Sequence, residues 1–135
     1  DRRDQAKAAG ARIVGLSVAV IGEQQLQDYL KRTQQHGLAA IGEANDEAEI
    51  KTAIAAGAKM IGVNNRNHKN FTVALDNSER LRQLVPESIA FIAESGIHTR
   101  ADVQVLEANH VNGILIGEAL MTAPDKAAKI KELLG

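Results

Sequence analysis

Apolar runs of strand length recur through the whole chain at a spacing that few architectures can use. They span Ile13 to Ala19, Leu38 to Glu43, Met60 to Asn64, Ile89 to Glu94 and Gly113 to Ile116, with starts 25, 22, 29 and 24 residues apart. A period of that size accommodates one strand, one turn and one helix. The intervening segments carry helical periodicity: Leu26, Tyr29 and Leu30; Ala48, Ile54 and Ala55; Leu81 and Leu84; Val103, Val105 and Leu106; Ala127, Ile130 and Leu133. The spacing predicts five βα units in succession, preceded by the tail of another helix. Phe71, Phe91 and Tyr29 are the only aromatics, so Ala, Ile, Leu and Val must do the packing. Such aliphatic cores suit parallel strands covered by helices.

The predicted boundaries carry the chemistry that helix ends need. Asn45 or Asp46 can cap the helix over 47–55, with Glu49 reaching back, and Thr99 with Asp102 makes a second box of this kind. Gly10, Gly37 and Gly57 offer the left-handed position that closes a helix before a strand. The repeat also shows in the residues themselves. Ala8-Ala9-Gly10-Ala11-Arg12-Ile13-Val14-Gly15 and Ala55-Ala56-Gly57-Ala58-Lys59-Met60-Ile61-Gly62 are one phrase used twice, and Ala108-Asn109-His110-Val111-Asn112-Gly113-Ile114 is a looser third copy.

Repeated βα units fold as an open doubly wound sheet or a closed eight-stranded barrel. An open nucleotide-binding sheet should carry a glycine-rich phosphate loop after its first strand. Val20-Ile21-Gly22-Glu23 stands there instead, matching neither G-x-G-x-x-G nor a Walker loop. The expected fold is therefore α/β, a partial TIM (βα)8 barrel of about five βα units of parallel strands with covering helices. A complete barrel needs roughly 200 residues or more, whereas this chain has 135. Residues 1–135 are expected to form a single incomplete barrel domain. The opening Asp-Arg-Arg-Asp, in mid-helix and without an initiating Met, reads as the start of a segment of something longer.

Charge and composition narrow the partners. Lys and Arg total 16 against 17 Asp and Glu, with no basic run beyond two, so no nucleic-acid footprint is expected. No apolar stretch approaches the roughly 20 residues of a membrane span, and no signal peptide is expected. The absence of Cys removes thiolate chemistry and disulfides and fits a cytoplasmic location.

In a barrel the active site is built at the C-terminal ends of the strands. Read in order, those ends offer Ser17, Glu43, Asn64 with Arg66, Glu94 with Ser95 and Gly96, and Gly117 with Glu118. Glu43 closes an otherwise apolar run, where a carboxylate is costly to desolvate and can be tuned for proton transfer; it could equally pair with or cap the next helix. Asn64-Asn65-Arg66 combines a hydroxyl-orienting amide with a guanidinium fork suited to carboxylate or phosphate, or is an Asn-rich turn with a surface Arg. The glycines after the last two strands let backbone N–H groups approach an anion, as barrel loops seven and eight commonly do; plain turn glycines are the alternative. His36, His68, His98 and His110 show no ligand spacing, and no Ser lies in a G-x-S-x-G context. No metal and no cofactor are implied.

Several spaced motifs together resemble one family. Ile61-Gly62-Val63-Asn64-Asn65-Arg66, Phe71, Leu75-Asp76, Ala93-Glu94-Ser95-Gly96-Ile97-His98-Thr99 with Asp102-Val103, and Leu115-Ile116-Gly117-Glu118-Ala119-Leu120-Met121 closely resemble indole-3-glycerol phosphate synthase, a (βα)8 barrel of tryptophan biosynthesis. The likeness runs from inside the family's third helix through its fourth to eighth βα units. It implies a carboxy-lyase that closes the indole ring of 1-(2-carboxyphenylamino)-1-deoxyribulose 5-phosphate with loss of carbon dioxide and water. By position, it implies that Glu43 is the fifth-strand glutamate that transfers protons and that Asn64 contacts substrate. Arg66 would help hold the site, and Glu94 would act in it. The Ser95-Gly96 backbone would lie near phosphate, with Gly117 and Glu118 in the eighth-strand phosphate loop. Two stretches depart from the family pattern, Gly15-Leu16-Ser17-Val18 in a strand otherwise rich in Leu and Asn67-His68 after the Arg.

The family's first-strand Glu and Lys, its serine and lysine phosphate motif and its third-strand catalytic lysine would all precede Asp1. The 135-residue chain is therefore expected to carry the C-terminal portion of the synthase and to be inactive alone. Its expected partners are a small phosphorylated substrate and, through unpaired barrel edges, other copies of itself. Two other readings stand beside this one: a non-enzymatic half-barrel scaffold or self-associating fragment, and another sugar-phosphate-binding barrel enzyme.

Overall fold

Five parallel strands pair in chain order to form a single sheet: β1 (Ile13–Ser17), β2 (Ala39–Ala44), β3 (Met60–Asn64), β4 (Ala90–Glu94) and β5 (Gly113–Leu115). The computed structural model describes residues 2–66 and 75–135, without the side chain of Arg3. Phe71 and the Asn67-His68 departure lie outside the described residues. Helix α1 (Arg2–Ala8) precedes the sheet; α2 (Glu23–Gln35), α3 (Glu47–Ala55), α4 (Asp76–Arg82) and α5 (Arg100–Ala108) follow strands β1 to β4, and α6 (Glu118–Met121) and α7 (Lys126–Leu134) follow β5. This is the α/β partial barrel of five βα units that the spacing predicts.

Strand alternation separates two faces. Val18, Ala44, Ile61, Val63 and Phe91 turn toward the helices and pack with Leu26, Ile50, Ala53 and Leu81. Ala93, with Ile114 and Ile116 packed alongside, meets Val103, Leu106 and Leu133 in a second cluster. The opposite face carries Ser17, Glu43, Asn64 and Glu94 at its C-terminal end. It also leaves Ile13 52% and Leu115 55% exposed. Among the described residues β1 pairs only with β2 and β5 only with β4, so the sheet has two open edges.

The register aligns the face in rows. Ser17, Glu43, Gly62, Ile92 and Gly113 are successive partners across the sheet, and Asn64, Glu94 and Leu115 form the row above. Glu43 and Glu94 thus lie one pleat apart along the strand direction, on strands separated by β3.

Local chemistry sets the boundaries. Asp46 accepts the Glu49 N–H at 2.8 Å and Glu49 accepts the Asn45 N–H at 2.7 Å, so Asp46, not Asn45, is the cap. Thr99 and Asp102 form a reciprocal capping box. Gly10, Gly37 and Gly57 have φ of 94°, 70° and 89°. In the third copy of the phrase His110 holds the same left-handed corner at φ 60°, a conformation that costs a side-chain-bearing residue roughly 1–2 kcal/mol. Its carbonyl accepts the Arg82 Nε–H at 3.0 Å.

Several predicted helix faces are corrected. The buried stripe of α3 is Ile50 and Ala53, with Ala48 and Ala55 exposed; in an Ala-rich helix, small residues mark no face. Helix α4 ends at Arg82, leaving Leu84 exposed in the turn while Val85 is buried. Val105 and Ile130 also face outward, and Leu133 is the buried residue of α7. Strand β1 stops at Ser17 and β5 at Leu115, each shorter than its apolar run.

Candidate active site

The strand ends bring the predicted residues into two adjoining groups. On the face away from the helices stand Glu43, Asn64 and Glu94. Beside them a cavity of about 160 Å³ is lined by Arg66, Ser95, Gly96, Gly117 and Glu118, together with Ile97, His98, Leu115, Ile116 and Ala119. The four residues expected near phosphate and Arg66, expected to help hold the site, therefore line one pocket between the ends of β4 and β5.

Glu94 is 5% exposed, and its Oε1 has no hydrogen-bond partner among the described residues. Burial disfavours its charge, and the charge on Glu43 adds to the effect, pushing the Glu94 pKa up to about 7. A group with such a midpoint can both give and take a proton near neutrality.

Arg66 is held by two elements. Its backbone N–H donates to Asn64 Oδ1 at 2.9 Å, an Asx turn at the end of β3. Its Nη2 donates to Glu118 Oε2 at 2.6 Å, joining the end of β3 to the start of α6. A carboxylate offers an anion no donor, so Glu118 shapes this pocket by fixing the guanidinium.

Ser95 and Gly96 form a left-handed corner directly after β4, with φ of 65° and 75°. Gly takes this conformation freely, whereas Ser95 pays for it in steric strain. What holds the corner is Asn65, the middle residue of the Asn64-Asn65-Arg66 motif, to which the sequence alone assigns no separate role. Asn65 is 3% exposed; its Nδ2 donates to the Ser95 carbonyl at 3.0 Å and its Oδ1 accepts the Ser78 hydroxyl at 2.6 Å. Its backbone N–H continues the ladder to the Glu94 carbonyl at 2.8 Å. One signal was available: Ser78 lies on the same helical stripe as Leu81 and Arg82, and a polar residue on a buried stripe needs a buried partner.

Among the described residues no group of three or more His, Asp or Glu is placed to hold a metal ion. No helix among them is long and apolar enough to cross a membrane.

The sequence profile of indole-3-glycerol phosphate synthase matches residues 3–133. The chain belongs to that family. It is 53% identical over 131 residues to the indole-3-glycerol phosphate synthase of Leuconostoc mesenteroides, covering 97% of this chain and 50% of that protein. The Lacticaseibacillus paracasei synthase is 49% identical over 122 residues, covering 90% and 47%. A multifunctional tryptophan biosynthesis protein of Schizosaccharomyces pombe is 42% identical over 130 residues, covering 96% and 17%. The chain thus spans about half the length of the synthases it matches. Among solved structures, 3-hexulose-6-phosphate synthase from Salmonella typhimurium superposes with a TM-score of 0.82 at 17% identity, over 98% of this chain and 64% of that one. Thiamine phosphate pyrophosphorylase from Pyrococcus furiosus gives 0.76 at 22%, over 99% and 63%. At those identities the likeness is one of fold.

Proposed function

We propose that residues 1–135 supply the C-terminal part of an indole-3-glycerol phosphate synthase active site, as one incomplete barrel domain. The observation that carries the reading is Glu94, a buried carboxylate at a strand end with one oxygen that has no hydrogen-bond partner among the described residues and a midpoint near neutrality, in electrostatic contact with Glu43. Ring closure onto a ketone needs a proton at the carbonyl oxygen, and the later loss of water needs a proton on the departing hydroxyl. Two coupled carboxylates of different burial can divide such donor and acceptor duties. In this assignment Glu43 and Glu94 move protons and Asn64 orients a substrate hydroxyl. The phosphate of 1-(2-carboxyphenylamino)-1-deoxyribulose 5-phosphate enters the pocket of Ser95, Gly96 and Gly117. There it competes with Glu118 for Arg66. The location that goes with this pathway is the cytoplasm.

The test joins residues 1–135 to the part of the L. mesenteroides synthase that the chain does not match. The joined protein is expected to decarboxylate the substrate and release indole-3-glycerol phosphate, with Glu43→Gln and Glu94→Gln each lowering kcat by about 10²–10⁴-fold. The 135-residue chain alone is expected to show no turnover. A folded joined protein whose turnover survives both substitutions would overturn the assignment.

The open edges support a second, physical part of the proposal, that the isolated chain self-associates. Light scattering at micromolar concentration is expected to give a multiple of 14.4 kDa, and a monomer mass would refute it.

A further inference from the structure

We infer that Gly15 and Gly62 are positioning residues, each the seat on which one of the two strand-end carboxylates rests. This inference rests on the assignment of Glu43 and Glu94 to proton transfer. The geometry is direct. A Cβ at Gly15 would lie 2.6 Å from Glu43 Oε1 and 3.2 Å from Glu43 Cδ, and a Cβ at Gly62 would lie 2.6 Å from Glu94 Oε1. A carbon and an oxygen cannot approach so closely without one of them moving. Each carboxylate therefore occupies space that exists because the neighbouring strand has no side chain there.

The two seats obey one rule. Glu43 pairs in register with Ser17, and Gly15 lies two residues earlier on that strand. Glu94 pairs with Asn64, and Gly62 lies two residues earlier on that one. In both cases the glutamate leans diagonally across the sheet onto the preceding strand, one pleat below its own partner. Gly15 and Gly62 also end the two close copies of the repeated phrase, so both of these deliver a seat, whereas the looser third copy has Leu115 at that place. Glycine in a strand weakens pairing and packing, so its presence at both equivalent places calls for a compensating role. Neither seat has a positive φ among the described glycines, which leaves absence of a side chain, not backbone conformation, as the property used.

Gly42, on the neighbouring strand but facing the helices, shows the contrast. A Cβ there would meet Ala58 Cβ at 3.5 Å and Ala53 Cβ at 3.6 Å, ordinary contacts that involve no carboxylate.

The seats differ in what else an alanine would disturb. At Gly15 the three nearest atoms all belong to Glu43, whereas at Gly62 the methyl would also meet Ile41 Cγ2 at 2.8 Å. Gly15→Ala is therefore the cleaner perturbation, displacing the flexible end of one side chain and little else. Misplacing a reacting group by about 1 Å can cost about 10²-fold in rate.

The experiment has two arms. In the 135-residue chain, the carboxyl carbons of Glu43 and Glu94 are followed by ¹³C NMR. Gly15→Ala is expected to move the Glu43 signal and leave Glu94 close to its original shift; Gly62→Ala, where it folds, is expected to do the reverse. Gly42→Ala is expected to move neither. If Gly15→Ala leaves the Glu43 carboxyl signal where it was, the seat is refuted. In the joined protein described above, Gly15→Ala is expected to lower kcat about 10²-fold with KM nearly unchanged. Added to Glu43→Gln, it should lower kcat no further, because it acts only through that carboxylate. Additive losses would overturn the inference. A displaced Glu43 signal with undiminished kcat would leave the seat intact and refute the assignment of Glu43 to catalysis.

Discussion

Replacing Glu94 by Gln tests whether this carboxylate is buried without compensation, independently of any substrate. Its midpoint lies at about 7 in the folded chain against an ordinary value of 4.5. Each pH unit of separation is worth about 1.4 kcal/mol, so the ionised form opposes folding by about 3 kcal/mol. The sign follows from linkage. Between the two midpoints the folded chain holds a proton that the unfolded chain has released, so stability falls as pH rises. The favourable contribution is complete below 4.5 and is lost as pH passes through about 7.

Urea titrations of wild type and Glu94→Gln from pH 4.5 to 8.5 give the comparison directly. Among the described residues the amide also lacks a partner for its buried end, so its absolute stability carries a constant offset of about 1–3 kcal/mol. The slope carries the information. Stability of Glu94→Gln relative to wild type is expected to rise by about 3 kcal/mol across this window, roughly 10 °C in Tm. Groups common to both chains cancel in the difference. Glu43→Gln, which removes the smaller of the two causes, is expected to reduce the wild-type slope without abolishing it. A relative stability that does not vary with pH would refute the reasoning, because it would mean that Glu94 is solvated or neutralised by a partner.

Three further substitutions probe the framework around the site. Ser78→Ala removes the hydroxyl that donates to Asn65 Oδ1 at 2.6 Å, leaving that buried acceptor unpaired, and should lower stability by about 1–3 kcal/mol in urea denaturation. His110→Gly relieves the left-handed corner at φ 60° and is expected to raise stability by up to about 1 kcal/mol, read as an increase in Tm. Asp102→Asn disrupts acceptance of the His98 and Thr99 N–H groups at 2.9 and 3.0 Å. These bonds hold the carboxyl below its ordinary 3.8 although burial acts against them. The wild-type advantage should therefore be present above pH 3.8 and shrink as pH falls through the lowered midpoint, measured by acid titration of both chains.

The strands were legible because an apolar run bounded by Gly and polar residues has few other uses, and the strand-end polar residues stood out because charge at the close of such a run demands a reason. Helix faces were harder to read. In α3 an Ala can lie on either side, and only Ile50 and Ile54, both packed on the core, distinguish them. The hold of Asn65 on Ser95 had only an indirect signal, a Ser on the buried stripe of α4, because it joins residues 30 apart through a left-handed corner, and neither fact has a local signature. Gly15 and Gly62 were visible as the ends of a repeated phrase but not as seats. That reading needs the register, since the diagonal from Glu43 to Gly15 exists only once Ser17 is known to face Glu43.

The register also explains why two glutamates in similar sequence contexts differ so much in burial. Both lie on strands paired on both sides, but Glu94 leans onto Gly62 of the central strand β3. Glu43 leans onto Gly15 of β1, an edge strand, and is only half-buried. Its surroundings are therefore decided by whatever next pairs with β1. A strand added there would remove water from the side of Glu43 that β1 leaves open, while Gly15 would still fix where the carboxylate rests. Position is thus built into these 135 residues, whereas the polarity around Glu43 depends on the partner edge. This separation gives a concrete expectation: covering the β1 edge should alter the Glu43 carboxyl signal far more than that of Glu94, and equal changes at both would show that the two sites are not set by their neighbouring strands.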